Sequence, residues 1–161
     1  DDSICHIDSQ AFEYARRFKG FLAILWLLLP VAKAANIEKK VERWQRIAEE
    51  AAKQSGRGII PQVRYTADYV SVLNDALHTD LPLFMYETGE RETIRDAIEH
   101  AAQPVASAAI ITGPEGGFAE FEADMARKLG MHICSMGERI LRCETAPVVA
   151  LTALMYGTGN L

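Results

Sequence analysis

With 161 residues the chain is long enough for one domain, or for one domain and a fragment of a second. Its 49% apolar and 24% charged residues are those of an ordinary soluble globular protein. The net charge of −5 argues against a wholly basic nucleic-acid binder, and Cys5, Cys134 and Cys143 form no CxxC pair. An odd, scattered cysteine set speaks against a disulfide framework and a zinc ribbon, and favours a reducing cytoplasm. The charge is uneven: residues 31–64 carry eight Lys/Arg against four Glu, and residues 65–128 carry four against twelve Asp/Glu. A basic segment on an acidic protein is compatible with phosphate contacts, because binding follows the local field. A solvated amphipathic helix would produce the same pattern.

In chain order, residues 1–33 show no clear period. Arg16-Arg17-Phe18-Lys19 precedes an apolar run from Phe21 to Leu29, an outline shared with secretory signals. The run starts too far in and is too short to span a bilayer, so a buried strand, or two strand pieces, is expected and no membrane partner. Asn36 can cap a helix whose Ile37, Val41, Trp44, Ile47, Ala48 and Ala51 recur at threes and fours, closed by Gly56. A strand at Gln62–Tyr65 and a helix near Asp68–Leu77 follow. Pro82–Tyr86 reads as a strand and Glu90–Ala101 as an amphipathic helix. Val105–Thr112 reads as a strand buried on both faces. A helix over Ala119–Leu129, a strand over Met131–Ser135 and a last helix over Thr145–Tyr156 complete the order. Alternating strands and helices predict an α/β fold with a mostly parallel sheet covered on both sides. Ligands of such sheets lie beyond the carboxyl ends of the strands.

Two loops fall at those ends. Thr112-Gly113-Pro114-Glu115-Gly116-Gly117 lets a ligand approach bare backbone. It is neither a P-loop nor a dinucleotide GxGxxG turn, and alone it could be only a turn. Met136-Gly137-Glu138-Arg139-Ile140-Leu141-Arg142-Cys143-Glu144-Thr145-Ala146 sets four charged residues between a strand and an apolar helix. Glu144 and Thr145 would also suit a plain helix start. His6, His78, His100 and His132 are isolated, so no metal is expected.

Together these loops are far more specific than either one. With Glu42-Arg43-Trp44-Gln45-Arg46-Ile47-Ala48, Gln54-Ser55-Gly56-Arg57 and Pro61, the chain over about residues 37–157 resembles the bacterial small-subunit ribosomal RNA uridine-N3 methyltransferases of the SPOUT class. The resemblance implies a C-terminal trefoil knot, a homodimer, a cytoplasmic enzyme, and a PUA-like β-barrel RNA-binding domain before the catalytic one. It divides this chain into residues 1–30, a remnant of the barrel, and residues 31–161, the methyltransferase domain. Unaided, chain order predicts an ordinary doubly wound sheet, since true knots are rare. The sequence also departs from the family. Leu29-Pro30 lies only fourteen residues before Trp44, so segments are shortened or omitted, and Cys143 and Lys53 replace a usual threonine and a frequent glutamate.

The implied cofactor is S-adenosylmethionine, held mostly by backbone at Thr112, Gly113, Pro114, Gly116, Gly117, Met136, Gly137, Ile140, Leu141 and Thr145, with Tyr86 and Glu87 from an earlier strand. N3 of uracil is protonated at neutral pH, so the site must accept that proton or stabilise the anion. Arg142 suits anion stabilisation. Glu144 is the candidate base and Glu115 the runner-up, unless Glu115 merely braces its own turn. Lys39, Lys40, Arg43, Arg46, Arg57 and Arg139 are the candidate RNA contacts. A related enzyme acting on another RNA, or a non-catalytic RNA-binding assembly factor, are the competing expectations. Arg142 and Glu144 beside a complete glycine loop disfavour the latter.

Overall fold

Chain order follows the periodicity closely. The computed structural model describes residues 24–28 (backbone only), 37–56, 58–114 and 116–161. Its elements are β1 (Ile24–Leu28), α1 (Ile37–Gln54), β2 (Gln62–Thr66), α2 (Tyr69–Ala76), β3 (Leu81–Met85), β4 (Glu92–Thr93), α3 (Ile94–His100), β5 (Ala108–Ile111), α4 (Glu120–Lys128), β6 (His132–Ser135) and α5 (Ala146–Gly157). Every strand pair is parallel: β1 with β2, and a separate four-stranded sheet in the order β4-β6-β3-β5. The chain is therefore α/β. The Asn36 cap, Arg57, Glu115 and nearly all of the expected N-terminal remnant lie outside the described residues.

β3 explains why the larger sheet holds. It has neighbours on both edges, and all five of its residues are buried. Its side chains alternate between two cores. Phe84, with Tyr86 just past the strand, packs with Val72, Leu73 and Ala76 of α2 and with Ala123 and Ala126 of α4. Leu81, Leu83 and Met85 pack on the opposite face with Ile94, Ala97 and Ile98 of α3 and Ala150 and Leu154 of α5. Burying each Leu or Phe stabilises the fold by roughly 1.5–3 kcal/mol. A third, smaller core joins Trp44 and Ala48 of α1 to Val63 of β2. There Gln45 clamps the strand: its Nε2 donates to the Pro61 carbonyl at 3.1 Å and its Oε1 accepts from Val63 N at 2.8 Å.

At the amino ends of β3 and β5, Asp80 ties the two strands together. One carboxylate oxygen accepts from Ala106 N (3.0 Å), Ser107 N (2.8 Å) and Ser107 Oγ (3.0 Å). These bonds hold the Asp80 carboxyl below its ordinary value.

Two expectations need correction. The helix expected from Glu90 begins at Ile94, because Thr93 caps it: Thr93 Oγ1 accepts from Asp96 N at 3.1 Å and Asp96 Oδ2 accepts from Thr93 N at 3.0 Å. Glu92 and Thr93 instead pair with Cys134 and Ser135 as an edge strand. A two-residue pairing leaves no period for a sequence pattern to detect. The strand expected to be buried on both faces, β5, is an edge strand in which only Ile111 is fully buried. Its small alanines imitate an interior strand, whereas β3 fills that place.

Candidate active site

The carboxyl ends of β3, β5 and β6 open into a cleft of about 660 Å³, within the range of small-molecule sites. Tyr86 and Glu87 follow β3, Thr112, Gly113, Pro114, Gly116 and Gly117 follow β5, and the loop from Met136 to Glu144 follows β6, so three loops converge on one space. Parallel pairing makes this unavoidable, since neighbouring strands end on the same side. Tyr86 N donates to the Cys134 carbonyl at 2.9 Å and extends the β3–β6 pairing to the rim.

The first loop is shaped by its glycines. Gly117 N donates to the Pro114 carbonyl at 2.8 Å, and Gly117 has φ +70°. A Cβ at Gly117 would overlap Oε1 of Glu87. Only glycine meets both demands there. Phe118, next in sequence, anchors the turn by packing on Phe84 with ring centroids 4.4 Å apart.

The second loop leaves β6 through a tight exchange at Ser135. Its Oγ accepts from Gly137 N and donates to the Gly137 carbonyl, both at 3.1 Å, while Gly137 takes φ +104°. The loop ends where Thr145 N and Ala146 N both donate to the Arg142 carbonyl at 2.9 Å and start α5. Between these ties its side chains sort by depth. Leu141, Cys143 and Glu144 are half-buried, whereas Arg139, Ile140 and Arg142 are exposed.

Arg142 Nη1 stands 4.0 Å from Glu144 Oε1. Cys143 Sγ donates to Glu144 Oε2 at 3.3 Å. The Glu144 carboxyl lies below its ordinary value; its own backbone N–H is the largest cause, followed by the Cys143 thiol and then Arg142. Cys134 behaves in the opposite way. Burial first, then Glu92 and Asp96, push its thiol up to about 12, so it is inert wall rather than nucleophile.

The cleft gathers most of the residues that the sequence singles out. Tyr86, Glu87, Thr112, Gly113, Pro114, Gly116, Gly117, Met136, Gly137, Ile140 and Leu141 line it, as do Arg139, Arg142 and Glu144. Thr145 does not line it; it stands at the N-cap of α5. Lys39, Lys40, Arg43 and Arg46 lie on α1. At 100° per residue, Lys39, Arg43 and Arg46 fall opposite the buried Trp44, Ala48 and Ala52, so they do not frame that core. Sequence reasoning passes over Met85, Cys134, Ser135 and Ala146, and notes Cys143 only as a replacement for a usual threonine; all five also line the cleft. Ser135 is the findable one, as the last residue of a strand before a Gly-containing loop. Among the described residues, no cluster of three or more His, Cys, Asp or Glu could hold a metal ion. No described helix is long and apolar enough to cross a membrane.

A family model described as an RNA methyltransferase domain matches residues 25–155. The chain belongs to this RNA methyltransferase family. The family's ribosomal RNA small subunit methyltransferase E of Bacillus subtilis is 36% identical over 124 residues, 75% of this chain and 48% of that protein. The chain spans about half the length of the curated relatives it matches. Among solved structures, Lpg2936 of Legionella pneumophila, in complex with the bound cofactor SAM, superposes with TM-score 0.76 at 25% identity, covering 95% of this chain and 62% of the other. The ribosomal RNA small subunit methyltransferase E of Neisseria gonorrhoeae, bound to S-adenosyl methionine, gives TM-score 0.69 at 25% identity, covering 92% and 61%. The α/β architecture with a parallel sheet is thus shared with SAM-bound methyltransferases.

Proposed function

We propose that this member of the RNA methyltransferase family transfers a methyl group from S-adenosylmethionine to N3 of a uridine in small-subunit ribosomal RNA. The observation that carries the reading is the convergence of the glycine loop and the Arg139–Glu144 segment on one cleft at the strand ends. S-adenosylmethionine would supply the methyl group as an activated electrophile. The backbone of Gly113, Gly116, Gly117, Met136, Gly137, Ile140 and Leu141 would hold it, with Thr112, Pro114 and Tyr86 closing the walls. Glu87, whose carboxylate reaches the Gly117 backbone, is suited to accept hydrogen bonds from hydroxyl groups.

Arg142 and Glu144 divide the remaining work. A carboxylate held below its usual range is a hydrogen-bond acceptor first and only a weak base. Glu144 therefore takes the N3 proton as N3 gains the methyl group and passes it on to water, and Arg142 carries the larger share by stabilising the charge that spreads to O2 and O4. Glu115 is kept as the second candidate acceptor.

The test is calorimetry with S-adenosylmethionine in the presence of a chelator, followed by mass-spectrometric mapping of small-subunit RNA after incubation. One cofactor site per chain and one new methyl on a uridine N3 are expected. Loss of binding on chelation, or a methyl on another base, would refute the reading.

The C-terminal trefoil knot, a homodimer and a cytoplasmic setting belong to the same proposal. α5 supports the dimer: it is apolar around its whole circumference, yet Val149 and Tyr156 are exposed. Light scattering should give twice the chain mass, and a monomer at micromolar concentration would count against it. Residues 31–161 are proposed as the methyltransferase unit. The parallel pairing of Ile24–Leu28 with β2 favours counting that strand with it, and leaves the barrel remnant to the residues before.

RNA contacts are proposed at Lys39, Lys40, Arg43, Arg46, Arg57 and Arg139. Lys39 and Arg43 are exposed on α1, on the side opposite Trp44, Ala48 and Ala52, whereas Arg46 lies 3.6 Å from Glu42. Replacing Lys39, Arg43 and Arg46 by alanine should flatten the log–log dependence of RNA affinity on salt by roughly 0.7–0.9 for each phosphate no longer neutralised. An unchanged slope would reduce α1 to a solvated helix.

A further inference from the structure

Ile140 is the most exposed large apolar residue among those described, at 83%. It does not lie on an outer helix face, where a single exposed apolar residue is ordinary. It lines the mouth of the cleft, on a loop fixed at one end by the Ser135–Gly137 exchange and at the other by the bonds to the Arg142 carbonyl. The next residue, Leu141, is half-buried, so the loop draws one apolar side chain in and leaves its neighbour out. The Ile140 side chain therefore adds little to the packing of the fold.

Its flanks are cationic. Arg139 is exposed and pairs with no carboxylate among the described residues; Arg142 is exposed and is met only by Glu144 at 4.0 Å. An apolar tip between two guanidinium groups matches the chemistry of an unstacked nucleic acid. Base faces accept apolar and guanidinium surfaces, and phosphates accept the charge. A solvent-facing apolar tip has no comparable fit to a cofactor enclosed by backbone.

We propose that Ile140 is a wedge for RNA: its side chain occupies the base stack beside the target nucleotide while Arg139 takes a flanking phosphate. The proposal rests on the methyltransferase reading, and it adds a reason why that reaction is feasible on folded RNA. N3 lies on the Watson–Crick edge, so a paired uridine must leave its stack before it can react. An apolar side chain that fills the gap offsets part of the lost stacking. The backbone of Ile140 stays with the cofactor loop; only the side chain faces the RNA.

The experiment compares wild type, Ile140→Ala and Ile140→Met on two RNAs containing the mapped uridine, one a hairpin that pairs it and one a short unpaired strand. Both carry 2-aminopurine next to the uridine. Ile140→Ala should lower kcat/KM on the hairpin by roughly tenfold, the scale of removing one stacking partner from a base. On the unpaired strand the loss should be at least about threefold smaller than on the hairpin, and S-adenosylmethionine affinity should fall by less than turnover on the hairpin. The 2-aminopurine signal that rises when wild type binds the hairpin should be lost in Ile140→Ala and kept in Ile140→Met. Equal losses on both RNAs, or an unchanged fluorescence rise in Ile140→Ala, would overturn the wedge alone. A fall in cofactor affinity matching the loss in turnover would make Ile140 a cofactor residue and also overturn it. A wild-type chain that transfers no methyl group would overturn the methyltransferase reading and the wedge with it.

Discussion

The two ends of β3 and β5 are built on opposite principles. At the amino ends, one carboxylate, Asp80, satisfies two backbone N–H groups and a hydroxyl, so the strands are stapled by side-chain chemistry. At the carboxyl ends no side chain bridges the same strands among the hydrogen bonds described. Glycines at 113, 116 and 117 instead keep the space clear. The first end resists opening, and the second gives up packing to admit a ligand. The molecule tolerates an open rim because the strands beneath it are fixed elsewhere.

The contrast between the ends breaks most visibly at Gly117. Replacing it with alanine places a methyl group against Glu87 and forces a residue with a Cβ to φ +70°, at about 1–2 kcal/mol for the backbone alone. The loop must shift into the cleft. S-adenosylmethionine affinity in calorimetry should fall by about 100-fold or more, since clash and strain act together. The thermal midpoint should fall by only a few degrees, about 2–4 °C for each kcal/mol of strain the shifted loop retains, because the rim contributes little to the core. Full cofactor affinity in the variant would show that this backbone is not part of the binding surface.

Arg142→Ala probes the same rim without deforming it. The side chain is 87% exposed, so its removal leaves the fold intact. Turnover should drop by about 100-fold, the scale of one missing oxyanion-type donor, with cofactor affinity nearly constant. Parallel losses in both quantities would make Arg142 a cofactor clamp and undo the division of labour with Glu144.

The legibility of these two ends differs as their physics does. The open end can be read in the sequence because its signals are local: a glycine run straight after an apolar strand, and four charged residues in one loop. The stapled end cannot, because Asp80 and Ser107 are 27 residues apart, and nothing in either stretch announces the other. The same limit explains the two fold errors. The Glu92–Thr93 pairing with β6 spans 42 residues, and edge or centre is a property of the sheet order, which Val105–Thr112 does not encode. In the sequence, Cys134 is only part of a cysteine pattern too sparse for metal, and Cys143 is only a replacement for a usual threonine. That Cys134 forms wall and Cys143 touches Glu144 depends on which way each side chain turns, and periodicity near a loop does not decide that.

Asp80 gives the smallest expected effect and the sharpest contrast. Asp80→Ala removes the acceptor for Ala106 N, Ser107 N and Ser107 Oγ. All are exposed enough for water to replace it, so the thermal midpoint should fall modestly. Cofactor affinity should not change, because the staple and the cleft sit at opposite ends of the strands. The pH dependence supplies a second readout. The Asp80 carboxyl sits below its ordinary value of 3.8 in the folded chain, so the unfolded chain binds its proton more readily than the folded one. The stabilisation is therefore complete above the ordinary carboxylate range and lost as pH falls through the lower folded value. Thermal midpoints of wild type and Asp80→Ala should differ at pH 7 and converge as the solution is acidified below about pH 4. A difference that persists unchanged in acid would mean that the alanine acts through the backbone of the turn. A loss of cofactor affinity at pH 7 would mean that the two ends of the sheet are coupled.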